Sequence, residues 1–140
     1  MKVLLVIVLS CLSALASAET AAPGPADELG QQLFAPDLVL KYQQDIGLDD
    51  SQSKALKALV QQAQSKFLDL QWDMQVEAGK LVQLVRVPHV DESAAIAQAE
   101  RVLNLERDVK KAQLSLLIRI KNVLSSAQQE KLLALRTKSP

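Results

Sequence analysis

The chain reads as an all-α protein: a long antiparallel helical hairpin with short flanking helices, four helices in all. Three observations carry this. The five prolines leave two long stretches unbroken, one between Pro36 and Pro88 and one between Pro88 and Pro140. Apolar residues in both stretches recur at alternating three and four positions, the period of one face of a helix. A short signature of an apolar residue, a helix cap and a Gln three positions on occurs twice, as Leu48-Asp49-Asp50-Ser51-Gln52 and Leu124-Ser125-Ser126-Ala127-Gln128. Each copy has the form of a capping box. The cap oxygen accepts from the Gln backbone N–H, and the Gln side chain reaches back to the cap's own N–H.

The elements follow in order. Lys2, an apolar run over residues 3–9 and the small-residue site Ala16-Ser17-Ala18 describe a secretory signal peptide, residues 1–18, cleaved after Ala18. Cys11 follows Val8-Leu9-Ser10 and faintly imitates a lipoprotein site, but that would leave only ten residues of signal. Cleavage at Ala18 is preferred, with an uncleaved membrane anchor as the alternative. Residues 19–33 form a leader, Pro-, Gly- and Ala-rich to about Gly30 and without apolar period, expected to be disordered. The helical domain spans 34–137. Pro36 suits the first turn of a short helix, 36–45, which Gly47 closes as a C-terminal cap. Asp49 caps a second helix, 50–86, and Asp91 a third, 92–123. Each is roughly 50 Å long at 1.5 Å per residue. The turn Val87-Pro88-His89-Val90-Asp91 joins them, and a last short helix covers 126–136.

On the second helix Leu56, Val60, Ala63, Phe67, Leu70, Met74, Leu81 and Leu84 form a seam that only Glu77 interrupts. On the third, Ala95, Ala99, Val102, Leu105, Val109, Ala112, Leu116, Ile120 and Val123 form the matching one. Folding at the Pro88 turn pairs positions whose numbers sum to about 179, so Phe67 faces Ala112, a large residue against a small one. The same register sets Asp69 near Lys110, Asp73 near Arg107 and Glu77 near Arg101, a ladder of expected salt bridges. It also brings both capping boxes to one end. Leu59, Leu68, Trp72, Val76, Val82 and Val85 stay off the seam, and residues 114–124 are apolar almost all round. A helix pair with apolar residues on two faces completes its core with a partner, so a homodimer is expected.

Composition excludes several functions. Residues 19–140 carry a net charge of −1, since the whole chain is neutral and Lys2 is the single charge in 1–18. No basic excess favours nucleic acid. Cys11 is the only cysteine, so the mature chain has no disulfide, thiolate metal site or cysteine nucleophile. No nucleophile–histidine–acid set and no Gly-rich phosphate loop is present, and neither an enzyme nor a cofactor is expected. An exported protein of this kind, with no eukaryotic cue, points to the periplasm.

A signal peptide, a four-helix reading dominated by a long hairpin, and two L-[cap]-x-x-Q boxes together resemble the Spy/CpxP family, with its paired L-T-x-x-Q motifs. The likeness covers about residues 33–136, and the related ZraP- and CnrX-type heavy-metal resistance and sensor proteins share the hooked hairpin. Asp49 and Ser125 stand where that family has Thr, and both are strong N-caps. The resemblance implies a cradle-like dimer whose concave face holds unfolded or stressed exported proteins without ATP. The alternatives it implies are a periplasmic metal sensor or resistance protein, and a regulatory module acting on a membrane sensor or anti-sigma partner.

The residues available for such roles are few. Leu48, Asp49, Gln52, Leu124, Ser125 and Gln128 form the caps. Phe34, Tyr42 and Trp72 are the candidates for a client or dimer surface. His89, the only histidine, is the one weak metal candidate, at a turn without cysteine or histidine partners. Met74 is the single methionine after the initiator and belongs to the seam. Gly79, inside a long helix, costs about 1 kcal/mol relative to Ala and marks either a close approach or a bend.

Overall fold

A computed structural model describes residues 25–137. The expected signal peptide, 1–18, and the first part of the leader, 19–24, lie outside them. The fold is all-α. Its elements are α1 (Pro25–Gln32), α2 (Pro36–Lys41), α3 (Asp50–Val85), α4 (Glu92–Val123) and α5 (Ser126–Arg136).

The second half of the expected disordered leader is helical instead. In α1 a proline, tolerated at the first helical position because its missing N–H would be unpaired there, precedes the good helix formers of ADELGQQ. Among the described residues, 25–31 belong to one unit and 32–137 to a second.

In the second unit, α2 ends at Lys41, four residues before the expected end. The chain then turns through 42–47 into a Schellman closure. Gly47 adopts φ +67°, the Leu48 N–H donates to the Gln43 carbonyl at 2.9 Å, and the Gly47 N–H donates to Gln44 at 3.1 Å. The helix stops early because the Gln43 N–H bonds back only three residues, to Leu40 at 3.4 Å, which tightens the chain out of the α ladder before the closure.

The other boundaries fall where the sequence puts them, because each start carries its own cap. The Asp91 carboxylate accepts from the Ala94 N–H at 3.0 Å to open α4. The boxes at Asp49 and Ser125 open α3 and α5.

The two long helices pack on each other along the expected seam. Leu56, Leu70 and Ile120 are buried and the other seam residues half-buried, Phe67 and Ala112 among them. Two cross-hairpin residue pairs bracket the register. The Arg119 guanidinium donates to Gln62 at 3.0 Å, and the buried Gln98 amide donates to the Glu77 carbonyl at 2.9 Å and to its carboxylate at 2.6 Å. Glu77, the break in the apolar seam, is thus a polar layer with its partner on the opposite helix.

The salt-bridge ladder does not form. Among the described residues the one ion pair is Lys80–Glu77, one turn apart on α3. The Arg107 guanidinium donates to Asn104 on its own helix, and neither Asp69 nor Asp73 has a basic partner. Neighbours one turn away on the same helix are always within reach of these exposed side chains, and here Lys80 and Arg107 take them. Arg101 does come near enough to Glu77 to favour its charge. The Lys80 ammonium first, then the Gln98 amide, hold the Glu77 carboxyl below its ordinary range. This contribution is present above the ordinary carboxylate range and is lost as pH falls through the lowered value.

The core sits at one end of the hairpin. Phe34, Val39, Ile46, Leu56, Ile120, Leu124 and Leu132 form one buried cluster, closed at its edge by Tyr42, Leu48, Leu59 and Leu133. Beyond it the hairpin continues as two helices alone, out to an exposed turn holding Val87, His89 and Val90. Two helices can shield each other's seam only partly, which is why the arm's seam stays half-buried.

Candidate functional site

The two capping boxes are not merely neighbours; they are bonded into one unit. Within each box the cap accepts from the Gln backbone, Asp49 at 2.7 Å and Ser125 at 3.3 Å. Each Gln Oε1 in turn accepts from the cap's N–H, at 3.2 Å for Gln52 and 2.9 Å for Gln128. The two side-chain amides then pair head to tail. Gln52 Nε2 donates to Gln128 Oε1 at 2.8 Å, and Gln128 Nε2 donates to Gln52 Oε1 at 2.9 Å. The remaining N–H of each amide crosses to the other box. Gln52 reaches the Val123 carbonyl at 2.9 Å, and Gln128 reaches Gly47 at 3.2 Å.

Val123 and Gly47 each stand just before the leucine of their box, so the arrangement has the form of a local two-fold. Both amides use two donors and two acceptor positions, their full capacity. Gln129 completes the corner by donating to the carbonyls of Lys121 and Leu124, both at 3.0 Å. The end of α4 and the starts of α3 and α5 thereby satisfy each other.

This chemistry requires Gln. Glu at the same place would still accept from its cap, but it could not donate to the opposite carbonyl, and two facing carboxylates would repel. The sequence shows the two boxes and their common end. It does not show the amide pair, whose only signal is that both third positions hold Gln and neither holds Glu. Removing one cap oxygen tests the boxes singly. Asp49→Ala and Ser125→Ala each lower stability by ~0.5–2 kcal/mol, read from thermal or urea melts, and unchanged melts for both would show that the caps do not act.

The three candidate surface aromatics separate. Phe34 is fully buried and offers no surface. Its ring lies in the core cluster with the Arg136 guanidinium 5.4 Å and the Lys121 ammonium 6.0 Å from its centroid, while Arg136 also donates to the Leu33 carbonyl. The apolar end of this segment is a core anchor, drawn in by burial and by cation–π contact. Tyr42, at the end of α2, is half-buried at the core's edge under the Lys41 ammonium, 5.0 Å from its ring. Trp72 stands 62% exposed on the arm.

Trp72 has company. Leu68 and Val76, one turn to either side, are 55% and 54% exposed. The three form a stripe on the side of α3 turned away from α4. On α4, Ile96, Leu103, Leu114 and Ile118 are exposed as well. Sequence reasoning placed Trp72, Leu68 and Val76 off the seam and marked 114–124, with Leu114 and Ile118, as apolar almost all round, but did not single out Ile96 and Leu103. A further apolar groove of about 380 Å³ opens between α2 and the start of α3, walled by Val39, Leu40, Leu48, Leu56, Val60 and Ile120. His89 is exposed in the turn. Among the described residues no three His, Cys, Asp or Glu side chains converge, and no helix is long and apolar enough to cross a membrane.

Compared with protein-family models, with curated proteins and with solved structures, the chain shows no significant match.

Proposed function

We propose that this chain is an exported, chaperone-like stress protein of the Spy/CpxP type. It works as a homodimer in the periplasm and holds unfolded or stressed exported proteins without ATP. The observation that carries the reading is the exposed apolar surface of the arm. Leu68, Trp72 and Val76 on α3, with Ile96, Leu103, Leu114 and Ile118 on α4, stand among Gln and balanced charges. Large apolar side chains left in water on both helices of one arm mark a surface used for contact. Mixed with polar groups, they bind unfolded chains weakly and without sequence preference. The linked boxes support the same reading, since they hold the base rigid while the arm carries the contact surface.

The test is suppression of aggregation. Added without nucleotide, the protein reduces light scattering by a chemically denatured exported protein at near-equimolar ratio. Trp72→Ser weakens this effect several-fold while the helical signal is kept. No suppression at tenfold excess would refute the proposal and favour a regulatory module that docks on a membrane sensor or anti-sigma partner.

The competing metal-sensor reading makes a different prediction. A tight transition-metal site needs three or four N, S or O ligands at about 2.0–2.3 Å. His89 in the turn and Met74 in the seam are roughly 20 Å apart along the hairpin and cannot share an ion. Calorimetry with zinc, nickel and copper therefore shows only weak, non-stoichiometric binding. One sub-micromolar site per protomer, lost in His89→Ala, would put metal sensing first.

A further inference from the structure

The apolar groove between α2 and the start of α3 lies at the base of the hairpin, apart from the exposed stripe of the arm. Val39, Leu56 and Ile120 of the core form its floor, and Leu40, Leu48 and Val60 its walls. Leu40 stays 55% exposed there. Along α3 the groove runs from Ser53 to Gln61, about 12 Å at the helical rise. Its volume of about 380 Å³ is at the lower end of the range for small-molecule sites.

The chemistry of the groove restricts what fits it. Its apolar lining is wholly aliphatic, with no aromatic and no acidic side chain. The walls are helices, whose main-chain groups are spent within the helices themselves. An extended peptide lying there would leave its own amides unpaired, whereas a hydrocarbon chain has none to satisfy. Polar groups stand only at the rim. Lys57 is exposed and makes no ion pair, and the exposed amides of Gln43 and Gln61 add N–H donors.

The wider field has the same sign. Residues 53–66 and 109–123, which lie side by side in the hairpin, hold seven basic residues and no acidic one. Residues 67–108, the rest of the hairpin, hold eight acidic and four basic. The hairpin is therefore positive at the groove end and negative toward its turn. The acids nearest this end in sequence, Asp37, Asp45, Asp49 and Asp50, line none of the groove.

We propose that this groove binds a single-chain anionic amphiphile, a long-chain carboxylate, with the hydrocarbon against Leu40, Leu48 and Val60 and the head group at Lys57. The positive half of the hairpin draws the anion to the rim, and the aliphatic walls take the chain out of water. A lipid with two acyl chains would keep one of them in water, because the groove is too small for both. The inference does not rest on the chaperone reading, which uses the arm.

The test titrates the full chain by calorimetry with octanoate, decanoate and dodecanoate, each below its micelle concentration. One ligand binds per chain, and affinity rises with length by up to about fourfold per methylene, the factor that burial of one CH₂ supplies. Lys57→Glu weakens dodecanoate binding at least about fivefold, Lys57→Arg keeps it, and added salt weakens it in the parent. Leu40→Glu abolishes binding while the helical signal and the ligand-free melt are kept, because the side chain it replaces is exposed. Trp72→Ser binds dodecanoate as the parent does, which separates the groove from the arm.

An absence of saturable binding would overturn the site, as would dodecyltrimethylammonium binding as tightly as dodecanoate. So would binding that survives Leu40→Glu and is lost in Trp72→Ser, since the ligand would then lie on the arm. Adsorption to phosphatidylglycerol vesicles with no binding of soluble dodecanoate would replace the free carboxylate with a membrane surface and likewise refute the proposal.

Discussion

Gln128→Glu destabilises the protein by about 2–5 kcal/mol, more than removal of either cap oxygen. The substitution changes one atom and leaves the capping bond from the Ser125 N–H in place. What it removes is donation. The Gly47 carbonyl and Gln52 Oε1 each lose an N–H at about hydrogen-bond distance and face an acceptor instead. Gln128 is nearly buried, at 9% exposure, so water does not replace both bonds. Each buried group left unpaired costs about 1–3 kcal/mol, and placing a carboxylate there adds to that. Urea denaturation at neutral pH reads the difference.

Acid offers an internal control. Burial against acceptors raises the introduced carboxyl's pKa, and a neutral carboxylic acid can donate once. The Gln128→Glu penalty therefore shrinks as pH falls, whereas a Gln128→Ala penalty does not follow that course. A Gln128→Glu protein no less stable than Ser125→Ala would show that the amide pair contributes nothing beyond the caps.

Phe34→Ala costs about 3–5 kcal/mol, the range for deleting a fully buried phenylalanine. The ring is the largest fully buried side chain, and its loss leaves a cavity among Val39, Ile120 and Leu132. It also removes the face beneath Arg136 and Lys121, which draw the ends of α5 and α4 to the segment before α2. Phe34→Leu, which keeps most of the volume, loses less than half as much. Thermal melts of the three proteins give the order. If Phe34→Ala melts with the parent, the core assignment is wrong, and Phe34 returns to the surface role that the sequence suggested for it.

Phe34 shows why part of the molecule was illegible in advance. An aromatic just outside a short helix looks like a surface contact because nothing local buries it. Its burial comes from α4 and α5, roughly a hundred residues further along the chain. The same holds for the amide pair: Gln52 and Gln128 are 76 positions apart. A capping box predicts its own two bonds but says nothing about what the outer side of the Gln amide meets.

The salt-bridge ladder failed for the opposite reason. Sequence register put acids opposite bases correctly enough for Arg101 to act on Glu77. Position along a helix does not decide which of several neighbours a flexible charged side chain takes, and Lys80 and Arg107 found theirs at a distance of three residues.

What the sequence determined alone was everything that short-range chemistry controls. Caps at Asp49, Asp91 and Ser125 fix where three helices begin, and the three-and-four spacing fixes which side of α3 and α4 turns inward. The left-handed turn at Gly47 was equally local, although where α2 stops before it was not. Tertiary structure decided the rest. It buried Phe34, joined the two boxes through their glutamines, and placed Gln98 on Glu77. It also left Leu68, Trp72, Val76 and Gly79 facing outward with Asp69 and Asp73 unpaired beside them. The physical division is between bonds a residue makes within one helical turn, whose partners the chain itself supplies, and contacts whose existence depends on how whole helices lie against one another.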